Sequence, residues 1–75
     1  MSNFFTRLID ESTELKDKIQ KLKSFTLTQQ FDNLDEANKA LLILQGEIMN
    51  SYYTCLQERI RLNVPASESY QPSQL

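Results

Sequence analysis

What most constrains this chain is how few helix breakers it contains, and where they fall. Gly46, Pro65 and Pro72 are the only glycine and prolines in 75 residues, and both prolines lie in the last segment. A body free of proline, with apolar residues recurring every three or four positions, is read as helix. From about Ser2 to Ser24, Phe5, Leu8, Leu15, Ile19 and Leu22 keep that spacing, and Ser12 completes their stripe. Ser2 or Asn3 offers the short side-chain oxygen that accepts a first-turn amide. Asp10, Glu11, Glu14 and Asp17 precede most of Lys16, Lys18, Lys21 and Lys23, an order that complements the helix dipole. Glu14–Lys18 and Asp17–Lys21 are spaced as ion pairs one turn apart.

The segment FTLTQQFDNLDE follows. Its threonines lower helix propensity, and Asp32-Asn33 favours a turn. Phe25, Leu27, Phe31 and Leu34 are too apolar for a solvated loop, so the spacing predicts a short helical turn whose aromatics close one end of a hairpin. Asp35 is placed to cap a second helix from Glu36 to about Leu62, roughly 40 Å long at 1.5 Å per residue. The predicted fold is therefore all-α: an antiparallel helical hairpin over residues 1–62 with a short connecting helical turn. The remaining segment, 63–75, NVPASESYQPSQL, has little to bury and is expected to be disordered. Charge fits the hairpin, since the lysine-rich end of the first helix should meet Asp32, Asp35 and Glu36. Arg59 and Arg61 should return towards Asp10 and Glu11.

A domain this small buries only about 60% of its unfolded surface. One cysteine, Cys55, forbids an internal disulfide, and no histidine is present to build a zinc site. No cofactor or metal is expected. Association of copies is the remaining source of stability. The second helix has more apolar surface than one partner helix covers: Leu41, Leu44, Ile48, Cys55 and Leu62 on one edge, Leu42, Met49, Leu56 and Ile60 on another. Leu41, Leu44, Ile48, Met49, Cys55, Leu56 and Ile60 are the expected contacts of a dimer or higher helical bundle.

Within LLILQGEIMNSYYTCLQERI, the line Leu41, Gln45, Ile48, Tyr52, Cys55, Arg59, continued by Leu62, alternates apolar with polar or amphipathic side chains. One reading is structural. A seam amide sets register and oligomeric state, a tyrosine keeps its hydroxyl near water, and an arginine snorkels to an acid such as Glu11. The other is a pocket between hairpins: Gln45 supplies an amide, Tyr52 or Tyr53 a stacking face, and Arg59 or Arg61 a phosphate contact, with Arg7 joining from the first helix.

Other function classes are disfavoured. No histidine is available for general-base chemistry, the acids fall on solvated faces, and Cys55 faces the apolar seam, so no enzyme is expected. Net charge is −2 with mixed signs, which gives no footprint for duplex nucleic acid. No apolar run reaches the roughly 18 residues of a membrane span, and the N-terminus lacks the pattern of a secretory signal. Met1, Phe4 and Phe5 are followed by acids rather than the basic face of an interfacial helix. A lone thiol suits a reduced cytoplasm.

The ordered residues also resemble a known group. Phe4-x-x-Arg7, Glu11-x-x-Glu14-Leu15-x-x-Lys18-Ile19-x-Lys21-Leu22-x-x-Phe25, Phe31-x-x-Leu34 and Leu41-Leu42-x-x-Gln45-x-x-x-Met49-x-x-Tyr52-x-x-x-Leu56-x-x-Arg59-Ile60 are similar to a family of small bacteriophage proteins, crAss-like-phage-related members included. The resemblance spans about Phe4 to Ile60 and leaves out Gly46 and the tail. It implies a phage accessory protein in the host cytoplasm that counters bacterial defence by binding. By analogy of size and architecture, the ligand would be a nucleotide immune signal, a cyclic oligonucleotide or cyclic ADP-ribose derivative, held by a homo-oligomer. The alternatives are a module that docks on a host or phage protein through the apolar face of the second helix, and a structural oligomer of a phage assembly.

Overall fold

The computed structural model describes residues 3–64. Three helices follow in order: α1 (Phe4–Phe25), α2 (Gln29–Asp32) and α3 (Glu36–Leu62). The expected tail lies, but for Asn63 and Val64, outside the described residues, as does Ser2. Asn3 alone is seen to cap α1, its Oδ1 accepting from the Thr6 amide at 2.7 Å. Threonines end that helix. The Thr26 hydroxyl donates to the Lys23 carbonyl at 2.7 Å and the Thr28 hydroxyl to the Phe25 carbonyl at 2.6 Å, so side chains satisfy carbonyls that the helix leaves open. Thr28 then caps α2 by accepting from the Phe31 amide at 3.2 Å. Phe25 and Phe31 meet edge to face, centroids 6.1 Å apart, and close that end of the hairpin. Leu27 departs from expectation: it is 83% exposed and takes no part in that closure. Asp35 occupies the N-cap of α3 without bonding an α3 amide. Its carboxylate accepts from the Asn38 side chain at 2.6 Å instead.

α1 and α3 pack antiparallel. Leu8, Leu15, Leu56 and Ile60 form the buried core, with Phe5, Ile9, Ile19, Met49 and Tyr53 packed around it. Leu56 and Ile60 are fully buried within the single chain. They therefore have no surface to offer a second copy, and half-buried Met49 packs inward beside them. This corrects the expected interface at Met49, Leu56 and Ile60. The reason is rotational: at about 100° per residue, α3 turns the Leu42–Met49–Leu56–Ile60 edge towards α1 and leaves the other edge out.

One polar contact fixes this register. Gln57 Nε2 donates to Ser12 Oγ at 2.6 Å, joining the two long helices beside the core, and Ser12 is only 3% exposed. Ser12→Ala is expected to lose about 1 kcal/mol in urea unfolding, because half-buried Gln57 regains only part of its hydrogen bonding from water. An unchanged midpoint would show that the bond contributes nothing net.

Ion pairing is local rather than across the hairpin. Asp17–Lys21 forms as expected at 3.1 Å, joined by Glu36–Lys39 at 3.5 Å and Glu58–Arg61 at 2.7 Å. Among the described residues neither Glu14–Lys18 nor the anticipated pairs between helices form. Side chains one turn apart meet without spanning the hairpin, and such exposed pairs contribute little to stability.

Candidate functional site

The line singled out in the sequence lies along the open side of α3. Leu41 is 62% exposed, Ile48 59%, Tyr52 43% and Leu62 71%, with Leu44, Gln45, Cys55 and Arg59 exposed among them. Repeats of three and four residues keep these positions on one helical stripe, turned roughly a quarter to a third of a turn from the core. Isolated exposed apolar side chains are ordinary. A contiguous row of them, three helical turns and more, marks an interaction surface. Cys55 is an exposed thiol on that stripe, not a buried one.

Three polar groups punctuate the row. Gln45 leans along its own helix, with Nε2 at 3.9 Å from Met49 Sδ. Tyr52 presents a half-open ring two turns on. Arg59 crosses to α1, its guanidinium carbon 5.8 Å from the centre of the Phe4 ring, a cation–π contact at the open end of the hairpin. Arg7 follows Phe4 by one turn of α1, so helical spacing sets it on the same side of that helix, and it too is exposed. The fold thus brings Gln45, Tyr52 and Arg59 onto one stripe and places Arg7 near its end.

Tyr53 and Arg61 are set elsewhere. Tyr53 is half-buried against the core. Arg61 stands two residues after Arg59, more than half a turn around α3, and is engaged by its own neighbour. Its Nε and Nη2 both donate to Glu58 Oε1, at 3.1 and 2.7 Å. That hydrogen bond and the charge behind it hold the Glu58 carboxyl below its ordinary range and raise Arg61 above its own. A stacking face at Tyr53 and a phosphate contact at Arg61 are therefore not part of the stripe.

The opposite flank carries a groove, which the sequence did not reveal. This groove of about 340 Å³ runs between the last turns of α1 and the first half of α3, floored by Leu22, Leu42 and Gly46. A Cβ built on Gly46 meets only the flexible end of Leu22, Cδ2 at 3.4 Å. The chain's own packing thus does not demand glycine there, although a mid-helix glycine costs about 1 kcal/mol relative to alanine. Phe4 as the shelf for Arg59, and Gln57 as the partner of Ser12, were likewise missed. Neither lies on a periodic pattern linking it to its partner.

Among the described residues no group of cysteine and carboxylate side chains is placed to hold a metal ion, and no helix is long and apolar enough to cross a membrane. Fold and site together define a small helical-hairpin protein with an uncovered amphipathic seam along its longer helix. A model of the Sequestin family matches residues 2–62, most of the chain, and the protein belongs to that family. The match supplies a family and no source; the likeness to crAss-like phage proteins rests on the residues quoted for it. No curated protein and no solved structure matches the chain.

Proposed function

We propose that this protein binds rather than catalyses: copies associate over the α3 stripe and sequester a small anionic nucleotide between them. The observation that carries this reading is the exposed row from Leu41 to Arg59, in which large apolar side chains alternate with an amide, a phenol and a guanidinium. The apolar members supply the drive to associate. Gln45, Tyr52 and Arg59, with Arg7 beside Phe4, supply hydrogen bonds, a stacking face and cationic charge for a base and a phosphate. The family's name, Sequestin, is compatible with a sequestering role. The most concrete ligand class is a cyclic oligonucleotide or cyclic ADP-ribose derivative serving as an immune signal, and the setting is a phage protein acting in the host cytoplasm.

A melting panel of cyclic dinucleotides, cyclic trinucleotides and cyclic ADP-ribose isomers tests this. A ligand held only by the folded protein stabilises it by about 2.7 kcal/mol when present at about 100 times its Kd. At least one member is expected to raise the melting temperature, and Arg59→Ala is expected to abolish the rise without altering the assembly's mass. Flat curves across the panel would sink the nucleotide reading. The exposed row also suits a second reading, docking on a host or phage protein. The face then involved is Leu41, Leu44 and Ile48, since Leu42, Met49 and Leu56 turn towards α1. A chain that remains monomeric with that row open favours this alternative.

A further inference from the structure

The chain holds three arginines, Arg7, Arg59 and Arg61, and their surroundings differ. Arg61 donates from Nε and Nη2 to one carboxylate oxygen of Glu58. Arg59 and Arg7 are exposed, and neither forms an ion pair among the described residues. What holds Arg59 is Phe4, whose ring centre lies 5.8 Å from the guanidinium carbon. An aromatic face attracts a cation through its quadrupole, without taking up the N–H groups as a carboxylate does. The contact therefore sets a charged fork at the open end of the hairpin and leaves its N–H groups free to donate. A guanidinium in that state matches a phosphate, which accepts two parallel N–H bonds from it. We infer that Phe4 is a positioning residue, holding Arg59 for a phosphate group at the open end of the hairpin with Arg7 as the second cation. The inference deepens the sequestration reading and rests on it for the nucleotide, whereas the phosphate contact itself needs only one hairpin.

Packing does not account for Phe4. Its ring is 50% exposed and stands outside the core, whereas the neighbouring Phe5 packs against Leu8, Leu15, Leu56 and Ile60. Phe4 opens α1 directly behind the Asn3 cap, so the start of the helix fixes where the ring stands. Arg7 follows it by three residues on the same side of α1. A long surface side chain loses rotamer freedom when it takes a ligand, and a shelf that orders it beforehand reduces that loss. Glu11, the acid expected to claim Arg59, stands one turn beyond Arg7 and forms no ion pair with either arginine. Both cations can thus serve an anion from outside the chain. Tyr52 lies seven residues before Arg59 on the same stripe, about 10 Å along α3. A nucleotide on the stripe then lies with its phosphates towards Phe4 and its base towards Tyr52.

The test titrates inorganic pyrophosphate into the full, isotope-labelled chain at constant ionic strength and follows the arginine Nε–H resonances by NMR. Arg59 and Arg7 are expected to shift along one saturable curve, while Arg61, held by Glu58, stays in place. Phe4→Leu keeps an apolar side chain but loses the ring. It is expected to weaken the binding about two- to fivefold, with helix content by circular dichroism unchanged. Phe4→Tyr is expected to keep the affinity of the unaltered chain. Arg59→Ala is expected to weaken binding at least about tenfold. Adding Phe4→Leu to Arg59→Ala is expected to change nothing further, because the ring acts through that guanidinium. No saturable shift at Arg59, equal shifts at all three arginines, an unchanged affinity in Phe4→Leu, or a full further loss in the double variant would overturn the proposal. A cyclic nucleotide that stabilises the unaltered chain and Phe4→Leu equally would also overturn it, and would leave the sequestration reading standing. Phe4-dependent pyrophosphate binding with no response across the nucleotide panel would support it and remove the sequestration reading instead.

Discussion

Leu56→Ala is expected to lose roughly 3 kcal/mol of folding stability, more than half of what a domain near 5 kcal/mol possesses. Leu56 is fully buried between the long helices, in a core of only a few large side chains. Truncation removes apolar contact and leaves a cavity that two rigid helices cannot readily close. Domains are stable by about 5–15 kcal/mol, and a domain of this size belongs near the bottom of that range. Urea unfolding followed by circular dichroism reads the loss directly. If Leu56→Ala instead kept its urea midpoint and lowered only the mass in solution, Leu56 would belong to an interface between copies, and α3 would be rotated from the orientation described above.

Ile48→Glu acts on the other side of the same helix and is expected to have the opposite signature. The side chain is exposed, so the hairpin keeps its helix content and its core. Burying an isoleucine contributes about 1.5–3 kcal/mol, and a symmetric interface counts it twice. Removing that contribution and placing two carboxylates at the contact is expected to weaken association over the stripe more than about 100-fold. Because Gln45, Tyr52 and Arg59 face the same seam, any nucleotide-induced rise in melting temperature is expected to disappear with it. Loss of mass with the ligand shift intact would place the ligand within a single hairpin.

The contrast between these two residues also marks how far the sequence could be followed. The bounds of α3 were legible, because an uninterrupted apolar period starts behind Asp35 and gives way to a proline-containing segment. The short turn and its aromatic closure were legible from Thr26, Thr28, Phe25 and Phe31. The rotation of α3 about its axis was not. Both of its apolar edges carry leucine and isoleucine at helical spacing, so periodicity says that each can be buried and not which one is. The choice rests on contacts distant in sequence, Gln57 with Ser12 and the shared core of Leu8, Leu15, Leu56 and Ile60, and these leave no local pattern.

The candidate site was legible in the same uneven way. Gln45, Tyr52 and Arg59 were recognisable because polar groups interrupted an apolar row, and the structure keeps them on one stripe. Tyr53 and Arg61 were drawn in by chemistry alone. A helix turns adjacent residues about 100° apart, so Tyr53 goes to the core and Arg61 goes to Glu58. The Phe4–Arg59 contact joins opposite ends of the chain and is visible only once the helices are antiparallel. The groove is a product of that pairing too, since its walls belong to different helices.

Another copy is expected to cover the exposed row along α3. Sedimentation equilibrium of the full chain, over a range of concentrations, tests it most directly. The predicted result is a mass at a multiple of the 8.8 kDa chain, reduced by Ile48→Glu with helix content retained. A single 8.8 kDa species at every concentration, with Leu41, Ile48 and Tyr52 left open to solvent, would contradict it.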